Sequence, residues 1–230
     1  MKTAAVIVAA GRSSRMHSEI PKQYLSLSGK PVLCYSVEAF QKAGADRIVV
    51  VVSPGEIEHC RTGVLAPFGL ADVVMTEGGK ERHDSVYQGL LKAEGCDYVW
   101  IHDGARPLVT EEILRRTLAA AVEGGACVAA MPVKDTIKEA DGAGFVAGTP
   151  DRSRLWAVQT PQTFAYDTIR AAHEARLRDN EGGAPVTDDG MLVERYLRLP
   201  VKLVEGSYRN LKITTEEDLI LAEALLRGRN

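Results

Sequence analysis

Between Gly11 and Lys30 the chain carries four cations, Arg12, Arg15, Lys22 and Lys30, against one acid, Glu19. The whole molecule has a formal net charge of −3. A cationic loop in a net-negative chain suits one bound anion, whereas a general affinity for polyanions needs a positive field over the whole surface. The segment AAGRSSRM (9–16) shares Ala9 and Ala10 with the end of the apolar run AVIVAA (5–10). Small residues and a glycine after a buried strand let the backbone N–H groups approach phosphate oxygens. One cation about 4 Å from one phosphate charge gains roughly 4 kcal/mol before desolvation, at an effective dielectric near 20. Several cations are therefore needed to balance a triphosphate. The loop lacks the GxxxxGK[ST] pattern, and Ser13 stands where a dinucleotide fingerprint needs glycine. Alone, it also suits a solvated basic loop.

Two further segments could carry chemistry. HDGARP (102–107) follows an apolar run, and Asp103 there is placed to hold Mg²⁺ between phosphate oxygens. The same residues also make an ordinary turn, capped by Asp103 and paired with Arg106. EGGKERHDS (77–85) offers two glycines whose backbone can read a base edge, with Ser85 one helical turn on. The competing reading is a strand–helix connection that needs φ > 0. The second half adds Asp151–Arg152, Gln159–Thr160–Pro161–Gln162, Thr187–Asp188–Asp189 and Asn210–Leu211–Lys212, each weak alone.

These residues need strands to hold them. Residues 5–10, 48–52, 73–75, 98–101, 127–131 and 201–204 read as short apolar strands. Helices are expected after Pro31, after Gly78–Gly79, after the Thr110 cap, over 166–178, at 187–189, and after Thr215, with Asp218 completing a capping box. Alternating strands and helices predict an α/β fold with a mainly parallel sheet flanked by helices. Ligands in such sheets bind at the carboxyl ends of the strands, where Gly11, Gly78–Gly79 and Asp103–Gly104 fall. The glycine-rich stretch 136–156 reads as a projecting arm within one domain, 1–230.

Cys34, Cys60, Cys96 and Cys127 form no CxxC pair, so reduced, buried thiols in a cytoplasmic protein are expected. No apolar run reaches membrane-spanning length. Residues 3–10 are read as a strand, not a signal peptide. Neither a nucleic acid polymer nor a membrane is an expected partner.

In order, AAGRSSRM, PKQYL, EGGKERHDSV, HDGARP, PVKDTIK, WAVQTPQ, TDD and GSYRNLKIT cover nearly the whole chain. Together they resemble the 2-C-methyl-D-erythritol 4-phosphate cytidylyltransferases of the non-mevalonate isoprenoid pathway. The resemblance implies a Rossmann-like nucleotidyltransferase fold and a homodimer clasped by the arm. It implies transfer of CMP from CTP to the sugar phosphate with release of pyrophosphate, assisted by Mg²⁺. Carried over by position, Ala9, Ala10, Gly11, Gly79 and Ser85 are expected at the nucleotide, and Asp103 at the metal. Arg15 and Lys22 are expected to hold the triphosphate and stabilise the transition state. Ala105, Arg106, Thr136, Arg152, Thr160, Thr187 and Lys212 are expected around the acceptor, with Arg152 reaching across the dimer and Arg152 and Lys212 steadying the attacking phosphate.

Two positions depart from some relatives: Arg209 stands where an acid can add a second metal ligand, and Lys80 where Asp can stand. A ribitol-5-phosphate cytidylyltransferase is the nearest rival, since it shares the fold and the nucleotide loops. Its relatives usually begin the loop AGG, whereas this chain has Ala9–Ala10–Gly11.

Overall fold

The fold is that of a computed structural model describing residues 1–11, 20–179 and 185–228. The first half lays down β1 (Thr3–Val8), the small ribbon β2 (Ser26–Leu27) and β3 (Lys30–Pro31), α1 (Val32–Lys42) and β4 (Arg47–Val52). Next come a short α2 (Ile57–His59) that continues as wider and tighter turns to Phe68, β5 (Val74–Glu77), α3 (Arg82–Lys92), β6 (Tyr98–Asp103) and α4 (Glu111–Gly124). The second half adds β7 (Ala126–Pro132), the hairpin β8 (Glu139–Ala140) and β9 (Val146–Gly148), β10 (Trp156–Ala165) and α5 (Tyr166–Arg178). It closes with α6 (Asp189–Leu192), β11 (Lys202–Glu205) and α7 (Glu216–Arg227).

Seven strands form one sheet in the order β11-β7-β10-β6-β1-β4-β5. β1 pairs in parallel with β4 and β6, β4 with β5, and β7 with β11. β10 alone runs antiparallel, between β6 and β7. Its sequence, WAVQTPQTFA, carries no apolar strand pattern, because Pro161 and polar residues interrupt it. The structure accommodates the proline in an irregularity: pairing with β7 shifts between Val158 and Gln162, leaving residues 159–161 out of register. A proline has no N–H to give a ladder, so a bulge is where a central strand can hold one.

Apolar residues fill both faces of the sheet. One cluster joins Ile7, Val50, Val52, Phe40 and Trp100, and another joins Val6, Val49, Val51, Leu90, Ile101 and Phe164. Burial on both faces explains the unbroken apolar runs of β1 and β4. The expected caps hold: Thr110 Oγ1 accepts from Ile113 N, and Thr215 and Asp218 form a reciprocal box on α7. On α3 Val86 and Leu90 are fully buried, while Leu91 is 37% exposed. The projecting hairpin lies within the expected arm, and Phe145 and Val146 at its tip are exposed. No helix among the described residues is long and apolar enough to cross a membrane.

Candidate active site

The carboxyl ends of β1, β4, β5 and β6 open onto a cavity of about 500 Å³. Ala9, Ala10 and Gly11 line it from β1, Lys22 from the turn Lys22–Tyr24, Gly79 and Ser85 from the start of α3, and Asp103, Ala105 and Lys212 from the far side. Lys80 also lines it. Buried Gln23 donates Nε2–H to the carbonyl of Ala9 at 2.5 Å, tying the Lys22 turn to the end of β1. Arg15 lies outside the described residues. Lys30, counted above in the cationic excess, pairs with Glu38 at 2.6 Å and lies over the Tyr35 ring. It therefore belongs to the β3–α1 surface.

Gly78 and Gly79 are not needed for positive φ, since neither adopts it. They are needed for close approach. A Cβ on Gly78 would stand 2.5 Å from Ser85 Oγ and 2.7 Å from Ala10 Cβ, and one on Gly79 would meet Asp84. Ser85 Oγ accepts the Gly79 N–H at 3.1 Å and donates to Glu81 O at 3.2 Å. The two glycines thus bring the start of α3 against the end of β1.

A second cavity, of about 280 Å³, adjoins the first and is lined by Arg106, Thr160, Gln162 and Thr187 among others. The two share Arg82, Asp103 and Lys212. Asp103 is the hub: Lys212 Nζ lies 2.8 Å from it, Arg82 Nε 3.3 Å and Arg106 Nε 3.8 Å. Burial alone would raise its pKa, but Arg82, then Lys212 and Arg106, hold the carboxyl well below the usual carboxylate range. Asp103 thus faces three cations, and with Asp189 pairing the far side of Arg82 at 2.7 Å the cluster still holds three cations against two carboxylates, a net positive pocket beside the strand ends.

A ring of hydrogen bonds fixes this hub. Thr160 Oγ accepts the Asp103 N–H at 3.0 Å and lies 3.1 Å from His102 Nδ1. His102 Nε2 lies 3.2 Å from the carbonyl of Arg106. Arg106 Nη1 donates to Asn210 O at 2.8 Å, and Asn210 Nδ2 donates to Thr160 O at 2.8 Å. The Ile213 N–H donates to Ala105 O at 2.9 Å, anchoring the loop that carries Lys212. HDGARP and two of the weak second-half segments are thereby one structural unit.

Thr136 and Arg152 line neither cavity. Both are exposed near the arm, where Arg152 Nη1 donates to Lys134 O at 2.8 Å. Arg209 turns the other way, donating Nη2–H to Leu225 O of α7 at 2.8 Å. Sequence reasoning missed Arg82, Asp189, His102, Gln162 and Asn210. Arg82, His102, Gln162 and Asn210 stood inside the quoted segments, and Asp189 inside TDD. Only the packing shows which of them meet.

A family model for 2-C-methyl-D-erythritol 4-phosphate cytidylyltransferase matches residues 3–228. A protein of that name from Caldanaerobacter subterraneus subsp. tengcongensis is 50% identical over 230 residues, covering 99% of this chain and 100% of that one. The 4-diphosphocytidyl-2C-methyl-D-erythritol synthase structure from Anaerococcus prevotii superposes with a TM-score of 0.85 at 31% identity, covering 98% of this chain and 96% of that one. The 2-C-methyl-D-erythritol 4-phosphate cytidylyltransferase structure from Thermus thermophilus gives a TM-score of 0.79 at 36% identity, covering 99% and 100%. The chain belongs to the 2-C-methyl-D-erythritol 4-phosphate cytidylyltransferase family.

Proposed function

We propose that this chain transfers CMP from CTP to 2-C-methyl-D-erythritol 4-phosphate, giving 4-diphosphocytidyl-2-C-methyl-D-erythritol and pyrophosphate. The observation that carries the reading is the junction of two cavities at a cationic cluster, in a member of this family. The larger cavity has room for a nucleotide and the smaller for a short sugar phosphate. The acceptor phosphate oxygen attacks the α-phosphorus, and the bond to the pyrophosphate oxygen breaks in line. A phosphate monoester is already anionic at neutral pH, so the protein needs no strong general base. Its task is to hold two anions together and to offset the charge that builds on the α-phosphate and leaving group.

Lys22 and Arg15 are assigned to the triphosphate, with Ala9, Ala10 and Gly11 presenting backbone to it. Gly79 and Ser85 are assigned to the cytidine. Lys212, with Ala105, Arg106, Thr160 and Thr187, is assigned to the acceptor. Thr136 and Arg152 are assigned to the acceptor site of a second copy, in a homodimer clasped by the arm. The exposed Phe145 and Val146 on the hairpin support that assembly.

The donor set fits a magnesium ion carried by the nucleotide. Among the described residues no cluster of three or more His, Cys, Asp or Glu could cage a metal. Mg²⁺ commonly takes one or two carboxylates and completes its shell with water and phosphate oxygens. Asp103 is the one carboxylate shared by both cavities. When bound there, the ion would neutralise phosphate charge. Four buried, unpaired thiols suit a reducing compartment, and we place the reaction in the cytoplasm.

Pyrophosphate release, measured with CTP and Mg²⁺, tests the reading. Release is expected with 2-C-methyl-D-erythritol 4-phosphate and not with ribitol 5-phosphate. Faster release with ribitol 5-phosphate would reassign the acceptor.

A further inference from the structure

Arg82 is the first residue of α3, and its guanidinium is held from two sides. Nη1 donates to Asp189 Oδ2 at 2.7 Å, and Nε reaches Asp103 Oδ1 at 3.3 Å. Asp189 is fully buried and lines neither cavity, whereas Arg82 lines both.

Asp189 is itself fixed from behind. Its N–H and that of Gly190 both donate to Gln162 Oε1, at 2.9 and 3.0 Å. Gln162, only 1% exposed on β10, donates Nε2–H to Asp188, and Asp188 caps α6 through Met191 N. On the far side His173 Nε2 stands 3.4 Å from Asp189 Oδ1, and its ring stacks on Tyr87. The bonds to Gln162 hold the backbone of Asp189, and full burial confines its carboxylate, whose Oδ2 takes the Arg82 bond while Oδ1 has no hydrogen-bond partner among the described residues.

Burying a carboxylate completely is costly unless a cation offsets it. Arg82 is that cation. A buried ion pair could do no more than join α3 to α6. Its position argues otherwise, because the exposed side of the same guanidinium faces the junction of the two cavities. Arginine carries five N–H donors in a planar fork. The short contact to the buried Asp189 orients the fork, and the longer contact to Asp103 is the one a phosphate oxygen can replace. Lys212, at 2.8 Å, remains to balance Asp103 when that happens.

We propose that Arg82 contacts the phosphates of both substrates where the cavities meet, and that Asp189 is the positioning residue that holds it there. The proposal rests on the cytidylyl transfer above and adds to it a phosphate contact and its anchor. Asp189→Asn keeps the shape and removes the charge. It should lower kcat by about tenfold to a hundredfold while both KM values stay within about threefold, since misorientation of a transition-state contact acts on turnover. Arg82→Gln should lower kcat at least as far. In the Arg82→Gln background, adding Asp189→Asn should cost no more than about twofold further, because the anchor then has nothing to hold.

Losses that multiply in the double variant, or Asp189→Asn with normal kcat, would overturn the proposal. If Asp189→Asn does not fold, Arg82→Lys decides: it keeps the charge and loses the fork, so wild-type kcat in that variant also overturns it. Wild-type turnover is measured alongside. An inactive wild type overturns the assigned reaction, and this proposal with it, whereas an active wild type with unaffected variants overturns the Arg82–Asp189 role alone.

Discussion

His102 Nδ1 and Thr160 Oγ lie 3.1 Å apart, and the direction of that hydrogen bond is fixed. His102 Nε2 faces the Arg106 carbonyl, which can only accept, so Nε2 carries the proton. Burial lowers the ring's pKa to about 4, outweighing the neighbouring Asp103, so the ring is neutral at pH 7. Nδ1 must then accept, Thr160 O–H donates to it, and Thr160 Oγ accepts from Asp103 N–H.

That neutral ring predicts acid sensitivity. The folded pKa of about 4 lies below the ordinary 6.5. As pH falls below about 6.5 the unfolded chain takes up a proton that the folded chain refuses, so stability is lost down to about pH 4. The loss from His102 should reach about 2 kcal/mol at pH 5. Urea midpoints at pH 7 and pH 5, taken with chelator present, should fall further for the wild type than for His102→Asn. Equal falls would refute the assignment.

Asp103 balances three cations, and removing its charge should leave them repelling one another. Asp103→Asn is expected to cost roughly 1–3 kcal/mol of stability, less than for a fully buried pair because Arg82 and Lys212 are partly exposed. Pyrophosphate should raise the melting temperature of this variant more than that of the wild type, since it supplies the missing negative charge. Activity should be lost. A variant that melts like the wild type and ignores pyrophosphate would contradict the hub.

Gly78→Ala should harm nucleotide binding more than folding. Its Cβ would press on Ser85 Oγ at 2.5 Å and on Ala10 Cβ at 2.7 Å. Overpacking of this kind costs about 1–3 kcal/mol, which corresponds to roughly fivefold to more than a hundredfold in CTP affinity if the strain is relieved by moving Ser85. Gly124→Ala meets open space on α4 and serves as the control. Calorimetric titration with CTP separates the two.

Arg152 offers a test of the shared site. Arg152→Ala and Lys22→Ala should each be nearly inactive as pure proteins. If Arg152 serves the partner's acceptor site, mixed dimers of the two variants contain one intact site each. Random co-assembly should then restore roughly a quarter of wild-type turnover. No recovery in verified mixed dimers would mean that Arg152 serves the site of its own subunit and does not reach across.

Local pattern determined much of this molecule. The apolar runs of β1 and β4, the Thr110 cap and the Thr215–Asp218 box were legible because each depends on neighbours within a few residues. So was the placement of Gly11, Gly78–Gly79 and Asp103 at strand ends, since a mainly parallel sheet puts its ligand there. β10 was not legible: its proline and polar residues are tolerated only because a bulge lets residues 159–161 leave the ladder. The cationic hub was not legible either. Arg82, Asp103, Asp189 and Lys212 are far apart in the chain, and what joins them is strand order and the approach of α3 that Gly78 and Gly79 permit. Sequence fixes which side chains can carry charge. Only the tertiary fold decides which charges share one buried space, because that depends on contacts between residues the chain itself keeps apart.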